Sequence, residues 1–291
     1  MVKSVYSRIS ETHRSTGIPW YVLERDYLLS WTLDGISQAP SLLDTPVFKG
    51  GTALRKCYFG DYRFSEDLDF TGLHEVPTGA DMEHAVQEAC DITRYLLKKS
   101  DPVDITCERY VEGHPHPGNQ EAFRIRARLP WHNYPLSTIM VEITVDEKIL
   151  KPVKMREIIH QYGEPIKAEI KTYSLEEIVA EKLRAILQNV AMLKRRGWSR
   201  IRGRDYYDLW RILGTYKDDM DFTEFTSFLR DKCAARNVAF TGPEDFFDGD
   251  ILALVDKDWN RSLGHLVPKL HPYSFVISEL RHQVKDLLPD P

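Results

Sequence analysis

The sequence contains little cysteine, and none of it is clustered. The 291 residues include four cysteines, Cys57, Cys90, Cys107 and Cys233, and no two of them form a C-x-x-C pair. This spacing argues against a zinc ribbon and a disulfide framework, and it suits a reducing cytoplasm. No apolar run approaches the roughly 18 residues that span a bilayer, and the opening of the chain has no apolar signal core. We therefore expect a cytoplasmic protein without a membrane partner.

An excess of one charge is also missing. The 39 Lys and Arg residues against 44 Asp and Glu residues leave a formal charge of −5. This excludes a histone-like protein held to nucleic acid by bulk charge, but it leaves room for a local basic patch. The ten histidines show no H-E-x-x-H spacing, and there is no G-x-S-x-G elbow and no internal repeat. With 42% hydrophobic residues, the chain can form one large globular domain or two modest ones.

Helix and strand patterns alternate over the first half of the chain. Pro19 can open a helix in which Trp20, Leu23, Tyr27 and Trp31 form an apolar stripe. Further patterns predict a helix at 81–99 and strands at 46–48, 67–70, 103–111, 122–129 and 138–145, with turn residues at 114–118.

From about residue 155 the pattern changes to mostly helical. Ser174 and Glu177 have the spacing of a capping box, which marks the start of a helix. Helical patterns follow at 205–216, 222–234 and 274–288. The sequence thus predicts an α/β N-terminal unit and a helical C-terminal unit that join near residues 150–170.

A glycine turn follows the first predicted strand. Gly50, Gly51 and Thr52 come directly after Phe48-Lys49 and lead into a helical pattern. Glycines let a backbone approach a ligand closely, and a helix N-terminus presents free amides to phosphate. Taken alone, however, such a sequence is more often a plain tight turn.

Three carboxylates lie on predicted strands. Asp67 and Asp69 are two residues apart, so both side chains leave the strand on the same face. Because close carboxylates repel one another, a dication such as Mg²⁺ would stabilise the pair. Glu142 lies in an apolar-acid-apolar strand and can be the third carboxylate of a two-metal site, in which the ions lie about 4 Å apart. The simpler alternative for each acid is a solvated strand face.

The order and spacing of these features favour one family. The glycine turn is followed about 15 residues later by the D-x-D strand and then by the distant acidic strand, which is the layout of the nucleotidyltransferase superfamily. The run GGTALRKCYFGDYRFSEDLDF resembles the AbiEii/AbiGii-type toxin family, with its G-G-T-x-L motif and its R-x-S-x-D-L-D-F motif at 63–70. Two C-terminal matches, E-K-L-x-A at 181–185 and R-D-x-x-D-L at 204–209, extend the resemblance over about residues 20–215.

The resemblance implies a fold, a reaction and partners. The fold is α+β, with a nucleotidyltransferase-like mixed sheet flanked by helices at 1–155 and a mostly helical domain at 156–291. The reaction is nucleotide transfer from an NTP to an acceptor, the 3′ end of a tRNA, which blocks translation. A cognate antitoxin encoded nearby and a monomeric state are also implied.

The same resemblance implies roles for individual residues. The metal ligands for two Mg²⁺ ions are Asp67, Asp69 and Glu142, which with Lys182 and Asp208 form the catalytic set. The nucleotide-binding residues are Gly50, Gly51, Thr52, Ser65, Lys182 and Asp205.

Lys182 also stands out from the residues alone. Ile178, Lys182, Ile186 and Val190 form an i, i+4 row, so the lysine lies in the apolar stripe of its helix. Such a lysine can bury its stem and deliver its ammonium into a cleft between the two units, or it can simply reach solvent at the helix edge. On the first interpretation, its replacement should weaken NTP use at little cost in stability. Capping alone would explain Asp205.

The region around Lys182 is strongly basic. Residues 182–211 contain nine basic and two acidic residues, a net charge of +7, which leaves −12 for the remainder. An aromatic side chain among arginines suits a nucleic-acid strand. The candidate RNA-binding residues are Arg195, Arg196, Trp198, Arg200 and Arg202. A flexible, solvated loop is the simpler alternative.

Two other functions remain open at this point. A small-molecule nucleotidyltransferase, such as an antibiotic-modifying enzyme, would need the same carboxylates but no basic segment. A non-catalytic nucleotide- or RNA-binding module would keep the fold, but it would have little reason to keep all three acids and Lys182.

Overall fold

The N-terminal region forms a mixed β-sheet in the computed structural model, which describes residues 3–111 and 119–289. The predicted turn at 114–118 lies outside the described residues. The strands within them are β1 Pro46–Lys49, β2 Asp67–Gly72, β3 Asp104–Tyr110, β4 Gln120–Arg128, β5 Ser137–Thr144, β6 Lys154–Glu157 and β7 Glu169–Thr172. These seven strands pair in the order β3-β4-β5-β2-β1-β7-β6. The pairs β2/β5 and β1/β7 are parallel, and the others are antiparallel.

The helices of this region are α1 Val5–Thr16, α2 Trp20–Gln38, α3 Gly50–Ala53 and α4 Gly79–Leu97, and α3 continues into a π-helical turn at Leu54–Tyr58. Of these, α2 and α4 pack against strands of the sheet, and α1 packs on α2. The predicted stripe on α2 is only part of its buried surface, because every residue from Val22 to Asp34 except Arg25 is buried. An all-round buried helix belongs to the core of its unit.

The chain divides into two units by its internal contacts. Unit 1 comprises residues 1–147 and 153–173, and unit 2 comprises residues 148–152 and 174–291. This differs from the expected division at residue 155, because β6 and β7 pair with the sheet of unit 1. All four residues of β6 are exposed, so its sequence carries no alternating pattern that would reveal a strand.

Unit 2 is helical in its described part. Its helices are α5 Leu175–Arg196, α6 Gly203–Thr215, α7 Phe225–Ala234, α8 Gly249–Leu263 and α9 Tyr273–Leu287. Of these, α8 was not among the sequence patterns, and neither was α1 in unit 1. None of the helices in the described ranges is long and apolar enough to cross a membrane.

The predicted helix start at Ser174 is confirmed. Its hydroxyl caps α5 by accepting from the Glu177 N–H at 3.3 Å. The Glu177 carboxylate accepts from the Lys151 N–H at 2.8 Å and pairs with the buried Lys232 ammonium at 2.6 Å. These bonds tie the 148–152 segment and α7 to the start of α5 within unit 2.

Gly35 sets how closely α2 and α4 approach each other. A Cβ atom at this position would lie 2.5 Å from the Ala89 carbonyl oxygen and would also collide with the Thr93 hydroxyl. Gly35→Ala should therefore destabilise unit 1 by about 1–3 kcal/mol through overpacking. The matched control is Gly249→Ala at the start of α8, where nothing lies within 4 Å of the added atom. Thermal unfolding of both variants is the measurement, and equal melting temperatures would contradict this interpretation.

Candidate active site

Strand pairing brings three carboxylates onto one face of the sheet. β2 and β5 run parallel with Asp69 opposite Glu142 and Asp67 opposite Met140. Neighbouring strands lie about 4.8 Å apart, and opposed residues point to the same side. All three acids are half-buried, whereas Leu68 and Phe70 are buried among the apolar residues of unit 1. The arrangement gathers negative charge where a polyvalent cation would be stabilised.

The glycine turn lies against this row of acids. Lys49, the last residue of β1, is opposite Asp69 in the antiparallel pair β1/β2. Gly50 follows with a φ of 78°, and a Cβ atom there would lie 2.5 Å from Asp69 Oδ2. At Gly51 the restriction is one of space only, because a Cβ atom there would collide with the Arg63 guanidinium. Gly50 therefore requires glycine both for its conformation and for its close contact with Asp69.

Thr52 and Ser65 occupy different environments. Thr52 is buried, and its hydroxyl donates to the Asp67 main-chain carbonyl at 2.5 Å. This bond ties the glycine turn to the first residue of β2, so the hydroxyl already has an internal acceptor. Ser65 is half-buried two residues before Asp67. The turn and β2 are thus held together at the position of the acids.

The site offers oxygen ligands rather than a preformed metal cluster. Among the residues described, no group of three or more His, Cys, Asp and Glu side chains is gathered to hold a metal ion. Asp67, Asp69 and Glu142 each have further interactions, so none of them lacks a partner. Carboxylate oxygens at adjacent register positions nevertheless match the hard ligands that Mg²⁺ prefers. The strand register brings the three carboxylates to neighbouring positions that could bind a dication. The close contact of Gly50 with Asp69 places the glycine turn beside them.

Lys182 is the centre of a buried ion-pair group in unit 2. Its ammonium lies 2.7 Å from Asp205 Oδ1 and 2.7 Å from Asp208 Oδ2. Asp208 is fully buried, and Lys182 is 7% exposed. The expectation that Lys182 can be removed at little cost in stability does not fit this arrangement, because its loss would take the ammonium away from a fully buried carboxylate. Arg202 pairs with the other oxygen of Asp205 at 3.2 Å.

The basic segment divides into two parts. Arg195 and Arg196 end α5, Gly197 closes the helix in a left-handed conformation, and Arg200 follows in the connection to α6. These three arginines are exposed, and the Trp198 side chain is 53% exposed. Arg202 is less exposed and belongs to the ion-pair group of Lys182. The exposed part therefore presents positive charge around an accessible aromatic ring.

The sequence patterns missed Lys49 and gave Arg63 no individual role. Lys49 lies opposite Asp69, and its ammonium is 5.6 Å from the centre of the Tyr173 ring. Arg63 is buried against Gly51, with one guanidinium N–H donated to the Phe64 carbonyl at 3.0 Å. The available signals were the position of Lys49 directly before the glycines and that of Arg63 two residues before Ser65.

Comparisons with known proteins bear on the fold and the family of this chain. Over 97% of its length the chain superposes on 88% of MenT4, a nucleotidyltransferase toxin from Mycobacterium tuberculosis H37Rv, with a TM-score of 0.64 and 17% sequence identity. At that identity the similarity supports the fold alone. A search of curated proteins finds no match. The family model described as "Nucleotidyl transferase AbiEii toxin, Type IV TA system" matches residues 31–285. The chain therefore belongs to the AbiEii family of nucleotidyl transferase toxins of type IV toxin–antitoxin systems.

Proposed function

We propose that this protein transfers a nucleotide from an NTP to the 3′ end of a tRNA, in a reaction that depends on Mg²⁺ and blocks translation. The observation that carries the proposal is the register of Asp67, Asp69 and Glu142 beside the close contact of Gly50 with Asp69. That arrangement supplies oxygen ligands next to a backbone that can approach a triphosphate.

The residues of unit 1 bind and orient the reactants in this proposal. The main-chain N–H groups of Gly50, Gly51 and Thr52 donate to the triphosphate, and the Ser65 hydroxyl is a further donor. Asp67, Asp69 and Glu142 would hold two Mg²⁺ ions, which supply charge neutralisation at the phosphates when bound.

The transfer exchanges one phosphorus–oxygen bond for another. The acceptor hydroxyl oxygen bonds to the α-phosphorus, the bond to the β-phosphate oxygen breaks, and pyrophosphate leaves. Glu142 is the group that we propose to receive the proton of the acceptor hydroxyl.

We further propose that Lys182 neutralises phosphate charge, with Asp208 orienting the ammonium and Asp205 belonging to the same nucleotide-binding group. Their ion pairs hold the ammonium at one position in unit 2.

The exposed basic segment supports the proposed tRNA acceptor. Arg195, Arg196, Trp198 and Arg200 combine positive charge with an accessible indole, which suits an RNA strand more than a small molecule. Membership in a type IV toxin–antitoxin family implies a cognate antitoxin, and we propose that a neighbouring gene encodes it.

Removing either paired aspartate should abolish transfer. Asp67→Ala and Asp69→Ala each delete a charged group at the phosphoryl centre, where such electrostatic terms supply about 10²-fold or more. The measurement is incorporation of labelled NTPs into total tRNA in the presence of Mg²⁺. Asp81→Ala, at an exposed carboxylate of α4, is the control and should retain activity. Wild-type turnover by either active-site variant would refute the metal-ligand assignment.

Lys182→Ala should reduce both activity and stability. It leaves the fully buried Asp208 without its ammonium, which typically costs about 3–5 kcal/mol. The double variant Lys182→Met/Asp208→Asn removes both buried charges, so its melting temperature should recover towards that of the wild type. Its transfer activity should stay low, because the phosphates lose their cation. Recovery of activity along with stability would mean that Lys182 has a structural role only.

Charge reversal of the exposed basic residues should prevent tRNA modification. A variant with Glu in place of Arg195, Arg196 and Arg200 should lose its contacts with the tRNA phosphates. Its binding of free NTP should persist. Wild-type tRNA affinity should also fall by orders of magnitude between about 50 and 200 mM salt, because each phosphate contact releases counterions.

The control for this experiment reverses three other exposed basic residues of unit 2, Lys257, Arg261 and Lys269. This variant should modify tRNA normally. A flat salt response together with unimpaired transfer by the Arg195/Arg196/Arg200 variant would instead favour a small-molecule acceptor.

A further inference from the structure

A buried group of charges joins α2 to the helical turn that follows Gly50 and Gly51. Asp26 on α2 accepts a hydrogen bond from Arg55 Nε at 2.8 Å through Oδ1. Its other oxygen, Oδ2, lies 2.8 Å from the Lys56 ammonium. The Tyr162 hydroxyl lies 3.0 Å from the second oxygen. Asp26, Arg55 and Lys56 are all 7% exposed or less. One acid thus serves two cations in the interior of unit 1.

These groups keep their charges despite burial. Burial opposes the ionisation of Asp26, but the neighbouring Arg55 and Lys56 outweigh it and hold the pKa of Asp26 below its ordinary value. Burial lowers the pKa of Lys56 to about 8, with Asp26 acting in the opposite direction. The Asp26 carboxylate and the Lys56 ammonium are therefore predominantly charged at neutral pH.

Arg55 makes contacts that Lys56 does not make. One terminal nitrogen of its guanidinium lies 2.5 Å from the Tyr62 carbonyl and 3.2 Å from the Gly60 carbonyl. The guanidinium also lies 3.7 Å from the centre of the Phe64 ring. All three residues belong to the segment that leads into β2 at Asp67. The Lys56 side chain reaches Asp26, and its main-chain carbonyl accepts from Ile159.

We propose that Arg55 is a positioning residue for the carboxylates: its planar guanidinium joins Asp26 to the 60–64 segment and thereby sets where Asp67 and Asp69 lie relative to Gly50. The planar guanidinium of an arginine has several N–H donors in fixed directions, so it can bind a carboxylate and two carbonyls at once. The ammonium of a lysine, on a flexible side chain, cannot reproduce that geometry. The expected effect of Arg55 on catalysis rests on the proposed nucleotidyl transfer. Its expected effect on the position of the 60–64 segment does not depend on that proposal.

Two matched variants separate positioning from simple core stability. Arg55→Met and Lys56→Met each remove one buried cation, and each leaves Asp26 paired with the other. Arg55→Met should lower kcat on the order of 10- to 100-fold, as expected for a small displacement of reacting groups, with little change in the KM for NTP. Lys56→Met should keep a kcat close to that of the wild type. Arg55→Lys keeps the positive charge but lacks the planar guanidinium, so its kcat should remain below that of the wild type.

Hydrogen–deuterium exchange of the full-length protein gives a measurement that does not depend on activity. The amides of residues 60–68 should exchange faster in Arg55→Met and Arg55→Lys than in the wild type or in Lys56→Met. Should Arg55→Met fail to fold, the comparison of Arg55→Lys with Lys56→Met decides the question.

The possible failures of the two proposals are distinguishable. A wild-type protein without transfer activity would refute the proposed function, while the exchange data would still test the role of Arg55. Unchanged exchange at 60–68 in the folded Arg55 variants, or an equal loss of kcat in the two Met variants, would overturn the positioning role.

Discussion

The parallel pairing of β2 with β5 is the constraint on which the candidate site depends. It places Asp69 directly opposite Glu142 and puts Asp67 on the same face. Carboxylates held this close repel one another, so the surrounding structure must fix them against that repulsion. The Thr52 bond to the Asp67 carbonyl and the close contact between Gly50 and Asp69 connect the glycine turn to the same strand. Our proposal therefore locates phosphate binding and metal binding on one side of one sheet.

Buried cations with shared carboxylates recur through the molecule. In unit 1, Asp26 forms ion pairs with both Arg55 and Lys56. In unit 2, Lys182 forms ion pairs with both Asp205 and Asp208. Such groups contribute little net stability compared with apolar packing, but the loss of one partner is costly. The side chains in these ion-pair groups are therefore held in defined positions. Such fixed positions suit residues that orient the groups of an active site or belong to it.

Much of the site was predictable because it is local. Two acids on alternate strand positions share a face in any β-strand, and Ser174 capped α5 as its spacing predicted. The apolar alternation also located β3, β4 and β5 to within a few residues. In contrast, the strand β6 and the buried acid Asp26 gave no usable signal, because β6 is wholly exposed and Asp26 is one of several buried polar residues in α2.

The sequence by itself determined the family, the paired aspartates and the glycine turn, since each depends on neighbouring residues and on a spacing along one strand or helix. Only the tertiary structure decided that Glu142 lies beside Asp69, that Arg55 joins α2 to the chain entering β2, and that Lys182 is paired with two carboxylates. These contacts join residues that are distant in sequence. They follow from strand register and helix packing, which are properties of the whole core and which no local pattern encodes.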